Sequence, residues 1–148
     1  MKTKAINPNV TLPRIIAIDY GTKRTGLATT DPLKIIATAL DTVRSFEAIA
    51  FLKKYAEKET IESFVVGMPK KLDNTDTNNT AHVVGFIRQL KKAFPEMNVY
   101  EHDERFTSKM AMQAMIMAGT KKADRREKGN IDMVSATIIL QSFLESQQ

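Results

Sequence analysis

The spacing of apolar positions changes repeatedly along the chain, and each change marks an element. Arg14-Ile15-Ile16-Ala17-Ile18-Asp19 is a short, β-branched apolar run and predicts a buried strand that ends in a carboxylate. Tyr20 to Gly26 carries two glycines and predicts a turn, with Leu27 to Thr30 as the return strand and Ile35 to Thr42 as a third strand after Pro32. Ala48, Phe51, Leu52, Tyr55 and Ala56 fall at i, i+3, i+4, i+7 and i+8, one face of a helix that Ser45 is placed to cap. Ser63-Phe64-Val65-Val66-Gly67 reads as a short central strand covered on both sides. A polar loop over 68–79 follows. A second helix carries Val83, Ile87, Leu90 and Phe94, and Pro95 blocks its continuation. Met97 to His102 predicts another strand, with Asp103-Glu104-Arg105 at its end. Thr107 is placed to cap a third helix over 108–118, which Gly119 stops. Residues 120–130 read as a charged loop. Ile131 to Ser146 predicts a final helix, apolar around much of its circumference and so expected to be buried.

Three meandering strands followed by alternating helices and strands predict an α/β domain with a mixed sheet and helices on both faces. Residues 1–13, with Pro8 and Pro13 and no periodicity, read as a flexible lead-in, and 14–148 as a single domain. The length of 148 residues suits one domain, and a 43% apolar content suffices for a core, which excludes disorder of the whole chain. There is no Cys, so a disulfide scaffold, a thiol nucleophile and thiolate metal sites are excluded, and two His cannot build a His-rich zinc site. The apolar runs are far shorter than the ~20 residues of a membrane span, and the first residues lack the apolar core of a signal peptide. The expectation is a cytoplasmic protein with no membrane partner.

Charge adds the first chemical clue. Lys and Arg number 22 against 17 Asp and Glu, a net +5 that attracts polyanions without specifying a fold. Lys121 to Lys128 holds five basic and two acidic residues, a net +3, directly upstream of Asp132. A charge run of this kind is by default a solvated loop. Beside a candidate metal ligand it becomes a candidate grip on a phosphate backbone.

The carboxylates fall where a site is expected. Asp19 ends the first strand, and Asp103 and Glu104 follow the last. Open α/β sheets bind ligands outside the carboxyl ends of their strands. Asp132 opens the final helix. Each has a bland reading: a turn residue for Asp19, a solvated pair for Asp103 and Glu104, a helix-dipole partner for Asp132. Together, without Cys or a His cluster, they suit a hard cation such as Mg²⁺ or Mn²⁺. Two such ions, ~3.5–4 Å apart, can activate water and stabilise the leaving oxygen of a phosphodiester.

Four stretches then carry a resemblance: Ile18-Asp19-Tyr20-Gly21-Thr22-Lys23-Arg24-Thr25-Gly26-Leu27-Ala28, Val65-Val66-Gly67-Met68-Pro69, Asp103-Glu104-Arg105-Phe106-Thr107-Ser108, and Lys128-Gly129-Asn130-Ile131-Asp132 followed by Ala136, Ile138, Ile139, Leu140 and Gln141. In this order, over about residues 14–145, they resemble the YqgF family of Holliday-junction-resolvase-like proteins described as pre-16S rRNA nucleases. The resemblance implies an RNase H-like fold: a five-stranded mixed sheet, three antiparallel strands plus two parallel, flanked by helices. It implies a metal-dependent endonuclease in 16S rRNA 5′-end processing and ribosome biogenesis, with Mg²⁺ or Mn²⁺ as cofactor and water as the nucleophile. Asp19, Glu104 and Asp132 take the family's acidic positions, as catalytic residues and metal ligands. Lys23, Arg24, Arg105, Lys121, Lys122, Arg125, Arg126 and Lys128 are the candidate nucleic-acid contacts. Related RuvC-type resolvases use four acids; Asp103 is the nearest candidate for a fourth. The alternatives are a resolvase acting on branched DNA and a non-catalytic RNA-binding assembly factor. An actin-like or sugar-kinase-type ATPase would suit Asp19-Tyr20-Gly21-Thr22, but needs two such lobes to enclose ATP, and this chain is long enough for one.

Overall fold

The computed structural model describes residues 13–31, 33, 36–69, 79–103 and 128–147, with 128–133 described as helix backbone alone. Five strands form one sheet: β1 (Arg14–Tyr20), β2 (Arg24–Thr30), β3 (Ala37–Arg44), β4 (Ile61–Met68) and β5 (Asn98–Asp103). Their order is β3-β2-β1-β4-β5. β2 pairs antiparallel with β1 and β3, while β4 runs parallel to β1 and to β5. The mixed sheet of three meandering and two parallel strands is therefore the one the element order predicts. The described helices are α1 (Ala48–Lys58), α2 (Thr80–Ala93) and α3 (Lys128–Ser146). The expected helix over 108–118 lies outside the described residues.

The strands bury both faces, and alternate side chains divide between two cores. Ile16, Ile18, Leu27, Phe64, Val66 and Met68 point to one side and pack with Leu52 of α1 and Val83, Phe86, Ile87 and Leu90 of α2. Ile15, Ala17, Ala28 and Val65 point to the other and pack with Ala136, Ile139, Leu140, Phe143 and Leu144 of α3. Helices thus cover both faces, and Val134 to Leu144 of α3 are everywhere at least partly buried, as a helix apolar around most of its surface requires.

Three boundaries differ from expectation. β2 begins at Arg24, so Gly26 belongs to a strand and the turn is confined to Gly21-Thr22-Lys23. α3 begins at Lys128, so the last three residues of the expected 120–130 loop are helical. Ser45 opens a 3₁₀ turn over Ser45–Glu47 and does not cap α1. Its hydroxyl donates instead to the Gly21 carbonyl, accepts from Thr25 Oγ1 at 2.9 Å, and its amide donates to Lys23 O at 3.0 Å. The hydroxyl's single proton goes to Gly21, which makes Thr25 the donor in that pair. The β1–β2 turn is thereby stapled to the end of β3. Gly21 is required there because a Cβ would lie 2.6 Å from the Arg24 carbonyl oxygen.

Candidate active site

β1, β3, β4 and β5 all run in one direction, so their carboxyl ends share one edge of the sheet. Asp19 stands on that edge, half-buried, at the end of the uniformly buried Ile15-Ile16-Ala17-Ile18. Alternation places it with Ile15 and Ala17 on the α3 face. The backbone around it is held from the opposite face. The Tyr20 ring stacks on Phe86 of α2 at 4.4 Å between centroids with 16° between planes. The Tyr20 carbonyl accepts a 3.0 Å hydrogen bond from Asn79 Nδ2 at the start of α2. A β-branched run drives β1 into the sheet, and an aromatic stack and an amide fix where it stops.

The neighbours of Asp19 on its own face are unusual. Gly26 of β2 is its direct partner in the register. Ile18 pairs with Val66, which sets Gly67 of β4 beside Asp19 on the other side. Gly67 in turn pairs with His102 of β5, and Gly26 with Thr42 of β3. Across the carboxyl edge on the α3 face the residues therefore read Thr42, Gly26, Asp19, Gly67, His102. The one carboxylate of this row is flanked by two residues without side chains. Sequence reasoning took Gly26 as a turn residue and Gly67 as a strand end; their common row with Asp19 follows only from the strand register.

His102 carries a polar link between sheet and helix. Its Nε2 lies 2.9 Å from Ser142 Oγ of α3, and its ring meets Phe143 edge-on at 6.4 Å. Burial holds the imidazole below its ordinary pKa, with the neighbouring Asp103 carboxylate pulling the other way. The ring serves as a hydrogen-bonding group to Ser142.

The other expected site residues fall as follows. Position 132 lies in the second turn of α3, the helix that packs on the Asp19 face. Glu104 lies outside the described residues, one position beyond the end of β5. Lys23 is exposed and Arg24 half-buried at the turn-proximal end of β2. Lys128 is the first residue of α3. Arg105, Lys121, Lys122, Arg125 and Arg126 lie outside the described residues. Among the described residues no three His, Asp or Glu side chains cluster to hold a metal ion. Asp103, the candidate fourth acid, ends β5 one position past His102, on the opposite parity to the Asp19 row.

Oxygen donors are what a hard divalent cation takes, and the glycines on each side of Asp19 add no side chain beside it. Asp19 thus fits as one oxygen ligand of such a cation.

The chain resembles known proteins over nearly its whole length. The family described as "RuvX: Holliday junction resolvase" matches residues 13–146. A protein of Phocaeicola vulgatus named "Putative pre-16S rRNA nuclease" is 50% identical over 137 residues, 93% of this chain and 99% of that one. One of Christiangramia forsetii with the same name is 51% identical over 133 residues, 90% and 98% of the two chains. Among solved structures, Thermus thermophilus RuvC matches with a TM-score of 0.56 at 16% identity, covering 90% of this chain and 95% of that one. The same protein in complex with a Holliday junction substrate matches with a TM-score of 0.54 at 18% identity, over 91% and 95%. At such identities the structural likeness concerns the fold, and it confirms the RNase H-like architecture; the sequence match reaches further, and the chain belongs to the RuvX family, the group whose YqgF motifs it carries.

Proposed function

We propose that the protein is a divalent-cation-dependent endonuclease that hydrolyses phosphodiesters at the 5′ side of precursor 16S rRNA, in the cytoplasm. The observation that carries this reading is Asp19, set at the carboxyl edge of the sheet on the α3 face between Gly26 and Gly67. The relatives' name supplies the substrate class. Among the described residues no helix is long and apolar enough to cross a membrane, in keeping with a substrate in solution.

Asp19, Glu104 and Asp132 act as oxygen ligands. β5 alternates so that Tyr100 and His102 face α3, the Asp19 side of the sheet, and Glu104 follows β5 by one position in the sequence. When bound, Mg²⁺ or Mn²⁺ neutralises charge on the phosphate and acidifies water at neutral pH. The protein's own part is to hold the carboxylates in place, and to keep the scissile phosphate against the two glycines that flank Asp19. Basic residues grip the flanking backbone: Lys23 and Arg24 near the sheet edge, Arg105, which follows β5 in the sequence, and Lys121, Lys122, Arg125, Arg126 and Lys128, which precede or open α3 in the sequence. A covalent protein nucleophile is not needed, since the attacking group is water.

The test is cleavage of a precursor 16S transcript by the purified protein with Mg²⁺ or Mn²⁺ against excess EDTA, with a four-way DNA junction in parallel. The expected result is cation-dependent RNA cleavage leaving 5′-phosphate ends. Cleavage of the junction alone transfers the reading to branched DNA. Cleavage that persists in EDTA with 2′,3′-cyclic phosphate ends replaces it with a metal-free ribonuclease. Cation-independent binding without cleavage of either substrate leaves an assembly factor.

A further inference from the structure

A second feature lies on the same edge, beyond the acids. Phe46, in the 3₁₀ turn after β3, is 80% exposed. It lines a cavity of about 480 Å³ together with Lys23, Arg24, Arg44, Thr22 and Thr42. An exposed phenyl ring gains nothing in water, and burying it elsewhere would stabilise the chain. Arg24 and Arg44 stand directly opposite each other in the β2–β3 register, an arrangement that like charges make unfavourable. The side chains of Lys23 and Arg44 form no ion pair with a described residue, and no carboxylate lines the cavity among them. The cavity thus offers the Lys23 and Arg44 cations for an anion and one flat apolar ring for a flat partner.

Its walls are set in advance. Ser45 bonds to Gly21 and Lys23 of the turn and to Thr25 of β2, so the segment bearing Phe46 is stapled to the segment bearing Lys23 and Arg24. Preorganisation of this kind lowers the ordering cost of binding. The place is also meaningful. Arg24 precedes Gly26 by two residues on the same face of β2, and Gly26 is the partner of Asp19. Asp19 and Arg24 are therefore diagonal neighbours, with Cα atoms about 7–8 Å apart.

We propose that this cavity is a nucleotide subsite for an unpaired residue of the substrate strand, with the base stacked on Phe46 and its phosphate held by Lys23 and Arg44. The proposal rests on the nuclease reading above for the strand's direction toward Asp19, and it narrows the substrate class. A base can reach Phe46 only when it is free of its own stack, so the substrate carries a single-stranded nucleotide close to the scissile phosphate.

Binding in EDTA tests this without any need for cleavage. The chain contains no tryptophan, so Phe46→Trp places a sole tryptophan reporter in the cavity. A short single-stranded RNA is expected to quench its emission, and the same RNA with abasic positions is expected to bind with little quenching. Phe46→Leu, with its fold checked by circular dichroism, is expected to lower affinity for the intact strand roughly five- to hundredfold, the range for one lost stacked base, while Phe46→Tyr retains it. Arg44→Gln is expected to reduce the slope of log affinity against log salt by about one. Equal affinities of Phe46→Leu and wild type for the intact strand, or unquenched Phe46→Trp emission in a saturated complex, overturn the subsite. A nucleoside monophosphate that binds as tightly as the strand overturns the strand assignment. Failure of cleavage with these binding results intact would count against the nuclease reading alone.

Discussion

The two faces of the sheet are built from alternate residues of the same strands and do opposite work. Toward α1 and α2 the strands present Ile16, Ile18, Leu27, Phe64, Val66 and Met68, large side chains that fill a core with Phe86 and Leu90. Toward α3 they present Ile15 and Val65 but otherwise Ala17, Gly26, Ala28 and Gly67, and then Asp19 and His102 at the carboxyl edge. The bulky face supplies most of the buried apolar volume. The lean face lets α3 lie close to the strands and leaves the carboxylate row uncrowded. The larger core and the Asp19 row are thereby separated by a period of two along each strand, and a residue's parity says which face it joins.

The largest effect that would sharpen this contrast belongs to the lean face and to activity. Asp19→Asn is expected to lower turnover roughly thousandfold or more while leaving nucleic-acid affinity equal or slightly higher, because one negative charge facing a polyanion is lost. Glu104→Gln and Asp132→Asn should behave alike, and the double variants should lose little beyond the single ones, since all serve one centre. A melting temperature that falls sharply in Asp19→Asn would break the division, by making the residue structural.

Substitutions in the two cores come next. Phe64 is fully buried and packs its ring against Phe94 at 5.0 Å between centroids. Phe64→Ala is expected to cost about 3–5 kcal/mol in chemical denaturation, for lost burial plus a cavity. On the lean face the opposite change is the damaging one. Ala17→Leu forces volume between β1 and α3, and is expected to cost about 1–3 kcal/mol and to lower activity as well, because α3 carries Asp132. Equal effects of the two on activity at matched stability would show that the faces are not functionally distinct.

The smallest expected effect concerns the staple between turn and sheet. Ser45→Ala removes the hydroxyl that joins Gly21 and Thr25, and is expected to cost about 1 kcal/mol. It should also weaken single-stranded RNA binding through the Phe46 cavity, leaving cation dependence of cleavage as in wild type. Loss of stability with no change in RNA affinity would confine Ser45 to the fold.

Much of this protein was legible in its amino-acid order. β1, α1, β4, α2 and the buried final helix follow from local spacing of apolar residues, because burial imposes periods of two and 3.6 on any chain that folds this way. The acids at the ends of β1 and β5, and the motifs that place the chain in its family, are equally local. What one dimension hides is lateral. That Gly26 and Gly67 flank Asp19 depends on an antiparallel register on one side and a parallel register on the other, between segments up to 48 residues apart. Ser45 looked like a helix cap because Ser before an apolar periodic run usually is one, yet its hydroxyl found the Gly21 carbonyl across the hairpin. Phe46 and Arg44 drew no notice as an exposed aromatic beside a cation, since sequence does not reveal exposure, and only the pairing of β2 with β3 brings Arg44 opposite Arg24. Periodicity reports which side of an element is buried; which residues then meet is decided by strand register, a property of pairs of segments that neither segment contains alone.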